Sequence, residues 1–196
     1  MTTALMSFPQ AEQLDANAKR VFAACLIQRM LPNYLLFCDA FGAGDAKVAK
    51  SIVDVVWEKL LQPQSSINMA SQLDKLEVIT PVLDDFDGFG VYPANDFCVA
   101  LGELLENFDQ FTDDMLIEIS QISAEGIVTL LEVQGEDLEQ LTMHPLWQEE
   151  AFFQREVYNR LYDMLLAASD KKAQLKSLRD YSRNDGVSNL GVSLDA

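Results

Sequence analysis

Three cysteines, a single histidine and no long unbroken apolar run set the first limits on this 196-residue chain. Cys25, Cys38 and Cys98 lie far apart, with no C-x-x-C spacing, so neighbouring residues build neither a zinc knuckle nor a thioredoxin-type redox pair. Each has apolar company (F-A-A-C-L-I, L-L-F-C-D-A, D-F-C-V-A), and buried, reduced thiols packing as small hydrophobes are expected. His144 alone excludes a di-iron bundle with two E-x-x-H elements, or a multi-imidazole zinc site, within one chain. It precedes Pro145 in T-M-H-P, which reads as a helix entry with Thr142 as its cap. G-x-S-x-G, H-E-x-x-H and G-x-G-x-x-G are all missing, and F-G-A-G-D at Phe41–Asp45 lacks the G-K-[ST] ending of a phosphate loop. The strongest apolar run, Val21–Ile27, falls short of the ~18 residues of a membrane span. No leader pattern precedes Lys19, the first basic residue. A soluble, cytoplasmic protein without a membrane partner is the expectation.

Positive charge is scarce in one place above all. Fourteen Lys and Arg face thirty-one Asp and Glu, a net charge of −17, so nucleic acid and anionic membrane are not expected as partners. Residues 76–154 hold eighteen acids and no Lys or Arg, while the flanking sections are close to neutral. Such a section serves solubility, or attracts a basic protein or imitates a phosphate array, or pairs internally with the basic last helix (Arg155, Arg160, Lys171, Lys172, Lys176, Arg179, Arg183).

With 49% hydrophobic and 23% charged residues the chain is too apolar to stay disordered, and its length suits one domain over 1–196. Alternation of the kind a strand needs is brief everywhere, so an all-α bundle of about seven helices is predicted. Ser7-Phe8-Pro9-Gln10 reads as a capping-box start, with Phe22, Leu26 and Met30 inward until Pro32 interrupts. A short second helix runs from Asn33 to a stop at Gly42. Gly44-Asp45 opens a third, striped by Val48, Ile52, Val56, Trp57 and Leu60; a fourth covers about Asn68–Ile79. The fifth starts at Pro93 and the sixth at Thr112, with Gly126 inside it marking a close helix crossing. A short helical piece follows Gly135. Pro145–Arg183 as one rod would measure about 58 Å, longer than a body near 40 Å across. A bend or break is therefore expected near Ser169, where serine or aspartate can cap a new helix, followed by an irregular tail over 186–196.

One loop has the look of a site. Asp84-Asp85-Phe86-Asp87-Gly88-Phe89-Gly90-Val91-Tyr92-Pro93 sets three carboxylates among aromatics. A calcium-loop template from Asp85 finds Asp87, Gly90 and Asp96 in place, yet Phe89 stands at a ligand position and an aspartate where glutamate is usual. The alternative is a tight connection, with glycines supplying unusual backbone angles and aromatics plugging the core.

R-M-L-P-N-Y-L-L-F-C (Arg29–Cys38), F-G-A-G-D, D-D-F-D-G-F-G-V-Y-P-A (Asp84–Ala94), C-V-A-L-G-E-L-L (Cys98–Leu105) and the terminal S-N-L-G-V together resemble the YjaG-like family of uncharacterised bacterial proteins, in the same order from about Phe22 to Val192. The resemblance implies a bacterial cytoplasmic all-helical protein and supplies no activity, cofactor or catalytic residue. The functional expectation is a non-enzymatic helical domain with an acidic surface (76–154), meeting a basic protein or a second copy as a homodimer. The alternative is a carboxylate-based metal binder or enzyme using Asp84, Asp85, Asp87, Tyr92 and Asp96.

Overall fold

The most apolar stretch of the sequence becomes the axis of the molecule. The structure, a computed structural model, describes residues 11–166 and 170–193. Its first helix, α1 (Ala16–Phe41), is buried at every residue from Val21 to Leu35. It is long and apolar enough by composition to cross a membrane, but 89% of its most apolar window is covered by other helices. It is longer than its shorter apolar runs suggest, because Pro32 does not end it.

That is a correction to the two-helix reading of this stretch. A proline inside a helix removes one hydrogen bond and costs about 3 kcal/mol. Met30, Tyr34 and Phe37, on both sides of it, are each almost fully buried. Burying one such side chain yields about 1.5–3 kcal/mol, so packing outweighs the lost bond. The start also shifts: a short 3-10 turn (Ala11–Gln13) precedes Asp15, whose carboxylate accepts the Ala18 N–H at 2.8 Å and caps α1. The expected start at Ser7–Gln10 lies outside the described residues.

Most other helix ends follow local rules. Asp45 caps α2 (Ala46–Leu61) by accepting from the Lys47 and Val48 N–H groups at 2.9 and 3.0 Å. Before it, Gly44 has φ +69°, and a Cβ there would meet the Tyr34 hydroxyl at 2.5 Å. After α3 (Ala70–Ile79), α4 (Val91–Glu106) packs along α1. Thr112 caps α5 (Asp113–Gln134), which stops at Gly135 with φ +77°. The expected close crossing at Gly126 is present: a Cβ there would lie 3.6 Å from Asp96 Oδ2 on α4 and 3.7 Å from the Leu190 side chain. The piece after Gly135 is a 3-10 helix, Leu138–Met143. His144, not Thr142, caps α6 (Pro145–Leu166): its Nδ1 accepts the Leu146 N–H at 3.3 Å.

The long C-terminal segment breaks where a cap was available. Residues 167–169, Ser169 among them, lie outside the described part, and Asp170 caps α7 (Lys171–Ser182) by accepting from Lys172 and Ala173 N–H. The break is a reversal: α7 folds back so that Tyr181 stacks on Phe153 of α6 at 5.5 Å. The following residues, 187–193, are irregular but not loose, since Ser188, Asn189 and Leu190 are buried. Leu190 completes a small cluster with Ala124, Ile127, Leu131 and Trp147, beside the main core around α1. The described residues hold seven α-helices and no strand.

Candidate functional site

The loop is a fitted connection. Phe86 packs edge-on against Phe37 and Phe41 at 5.0 and 5.6 Å. Gly88, at φ +142°, and Gly90 lie so close to Phe41 that a Cβ at either would sit 3.3 Å from its ring. The carboxylates are left outside. Asp84 and Asp85, in a 3-10 turn (Leu83–Asp85), and Asp87 are exposed, and Tyr92 is half exposed. Asp96 parts company with them, half-buried on α4 and facing α5. Burial first, and the nearby Glu125 second, raise its pKa from 3.8 to about 6. The structure does not bring Asp84, Asp85, Asp87, Tyr92 and Asp96 together. Among the described residues no three His, Cys, Asp or Glu gather where they could hold a metal ion.

Polar side chains do converge, in the interior between α1, α5, α6 and the C-terminal segment. Glu150 of α6 is 0% exposed. Its Oε1 accepts from Ser123 Oγ and Gln154 Nε2, both at 2.7 Å, and its Oε2 lies 3.6 Å from Nε of Arg29, itself buried on α1. Ser120 donates to Gln154 Oε1 at 2.7 Å. Asn189 ties in the chain end: its Nδ2 donates to the Ser123 carbonyl at 2.8 Å, and its Oδ1 accepts from Asn33 Nδ2 at 2.9 Å. The Arg29 guanidinium lies 4.3 Å from the centre of the Phe153 ring, Tyr181 stacks on that ring, and Arg160 covers Tyr181 at 4.0 Å. A charge pair without water persists only with such partners, since each ion loses several kcal/mol of hydration. The network therefore fixes how α6, α7 and the tail seat on α1.

Sequence reasoning overlooked these residues, though a signal existed. Arg29 and Asn33 sit four apart inside the buried helix α1, Glu150 and Gln154 four apart on α6, and Ser120 and Ser123 on the inward face of α5. Three of the segments that carry the family resemblance touch the network or its neighbourhood: R-M-L-P-N carries Arg29 and Asn33, S-N-L carries Asn189, and the Asp84–Ala94 segment leads into Asp96. The thiols are inert in the expected way. All three are free, and burial raises each pKa, that of Cys98 to about 12. Cys38 is only half-buried, unlike the other two.

The acids of residues 76–154 mostly face out. Fourteen of the eighteen are exposed. Among the described residues two of them form ion pairs, Asp113 with Lys19 and Glu150 with Arg29. The idea that the basic last segment neutralises this section is corrected: Arg179 pairs with Asp54 of α2, and Arg160 and Arg183 pair with Glu156 and Asp180 beside them. The reason is geometric, since α7 packs chiefly on α1, α2 and α6.

Fold and interior together define an all-α protein whose helices and chain end are joined by a buried, ion-paired polar network. More particularly, the chain belongs to the family described as "Protein of unknown function (DUF416)", whose model matches residues 7–193. It is 36% identical to the uncharacterised protein YjaG of Escherichia coli K12, over 92% of this chain and 93% of that protein. An uncharacterised protein of Haemophilus influenzae is 34% identical over 92% of this chain and 93% of its own length. The crystal structure of a DUF416 family protein from Shewanella baltica superposes with a TM-score of 0.87 at 29% identity, covering 96% of this chain and 99% of the other. The resemblance read from the motifs and the all-α fold both stand.

Proposed function

We propose that this protein is a binding module whose section 76–154 receives a basic protein partner. One observation carries the reading: fourteen exposed acids stand in a section with no Lys or Arg, and only two of its eighteen acids are ion-paired among the described residues. Unpaired charge of one sign raises the local concentration of opposite charge and speeds its association. Two copies of the same acidic section repel, so a different, basic chain suits it better than a symmetric dimer. Three free cysteines fit a reducing compartment such as the cytoplasm, and no membrane or nucleic-acid role is part of the reading.

The test is affinity capture from bacterial lysate at about 50 mM and about 300 mM salt, a range over which exposed charge is increasingly screened. The wild type is compared with a variant carrying Asp84→Asn, Asp85→Asn, Asp87→Asn, Glu106→Gln, Glu118→Gln and Glu125→Gln. Basic proteins held by the wild type at low salt and lost in the variant support the reading. Equal retention by both chains, or none by either, refutes it.

A further inference from the structure

We infer that the seam between α4 and α5 is the docking site for a cationic amphipathic helix. The inference rests on the proposed acidic binding role and names the surface and the chemistry of its occupant. The outward face of α4 presents Tyr92, Asp96, Val99 and Glu103 at steps of four, three and four residues, which places them on one stripe. Tyr92 is 50% and Val99 47% exposed, large apolar groups left about half open to solvent. On α5, Glu118 and Glu125 are exposed seven residues apart, again on one stripe.

The two stripes run side by side. Asp96 Oδ2 lies 3.6 Å from where a Cβ of Gly126 would be, so the helices approach closely there. Asp96 interacts electrostatically with Glu125 and Glu103 with Glu118, and both members of α4 are pushed toward protonation by burial and then by these neighbours. Acids facing one another across a helix seam oppose folding, whereas solubility needs only dispersed charge. An occupant that sets Lys or Arg against both rows and an apolar row over Tyr92 and Val99 removes both penalties. Residues at helical spacing suit this, as in other helix-in-groove recognition. The chain's own α7 has that composition, but Leu175 and Leu178 are already buried against its own body, so a second copy is not the occupant.

The test uses a fluorescent synthetic peptide of about 18 residues, roughly the length of α4, with a leucine stripe flanked by lysines. A scrambled peptide of identical composition keeps the charge and loses the stripe. Anisotropy titrations compare the full-length wild type with Glu118→Gln/Glu125→Gln, with Val99→Ser, and with Glu136→Gln/Glu139→Gln, which removes the same charge away from the seam. Circular dichroism verifies that each variant is folded.

The striped peptide is expected to lose about tenfold or more in affinity with the seam pair and several-fold with Val99→Ser, against less than about twofold with the remote pair. Scrambling is expected to cost about tenfold. Equal weakening by the remote pair, or equal binding of the scrambled peptide, overturns the seam while leaving the broader acidic reading intact. Binding of neither peptide at low salt overturns both. Saturable binding of calcium alone that the seam pair abolishes makes the seam a cation site and overturns the helix docking.

Discussion

Replacing Arg29 by methionine keeps most of its volume and removes the cation that pairs with Glu150 among the described residues. The Glu150 carboxylate then keeps its hydrogen bonds from Ser123 and Gln154 but has no opposite charge, at 0% exposure. Breaking a buried pair from one side costs about 3–5 kcal/mol, because the surviving charge is left without either water or partner. For a chain of this size each kcal/mol lowers Tm by roughly 2–4 °C, so Arg29→Met should melt roughly 6–20 °C early. Glu150→Gln, which strands the guanidinium over Phe153, should cost a similar amount, of order 3 kcal/mol. The double variant returns a neutral pair to the site and should recover a large part of the loss. Urea unfolding followed by circular dichroism measures all four chains, with a constant m-value confirming that each unfolds as the wild type does. Strictly additive losses in the double variant would show that the two side chains do not act on each other. Single losses below about 1 kcal/mol would show the pair to be as weak as an exposed one. Either result refutes a coupled ion pair at the centre of the interior network.

Asp96 makes stability depend on pH. Its folded pKa, about 6, lies above the ordinary value of 3.8, so folding favours the protonated acid. The contribution is fully present below about pH 4 and is lost as pH rises through about 6. Glu103, also raised, adds in the same direction. Asp96→Asn should therefore flatten the fall in urea midpoint between pH 4 and 7 and stabilise the protein at pH 7 by on the order of 3 kcal/mol; an unchanged slope refutes the assignment. Asn189→Ala leaves Asn33 and the Ser123 carbonyl without their buried partner, at about 1–3 kcal/mol for each. Hydrogen exchange in the segment 187–193 should accelerate along with this loss, and unaltered protection there would show that Asn189 does not hold the tail.

Sequence by itself determined the helices and most of their ends, because those depend on residues close in the chain. The capping carboxylate of Asp45, the Thr112 cap and the glycine stop at Gly42 act within one turn, and each lies where the pattern put it. The acidity of residues 76–154 was equally plain, being composition alone. The loop aspartates stood out for the same reason, yet only the fold separates Asp96 from Asp84, Asp85 and Asp87.

Tertiary structure decided what depends on distant partners. Pro32 stays within a helix because residues on either side are buried by other helices, a stabilisation no local pattern reports. Arg29 and Glu150 lie 121 positions apart in the sequence and meet only when α6 seats on α1. The last segment turns back as α7, and Asn189 reaches α1 and α5 together. Helix formation is governed by hydrogen bonds four residues long, whereas which polar side chains share a dry interior is set by the packing of whole helices.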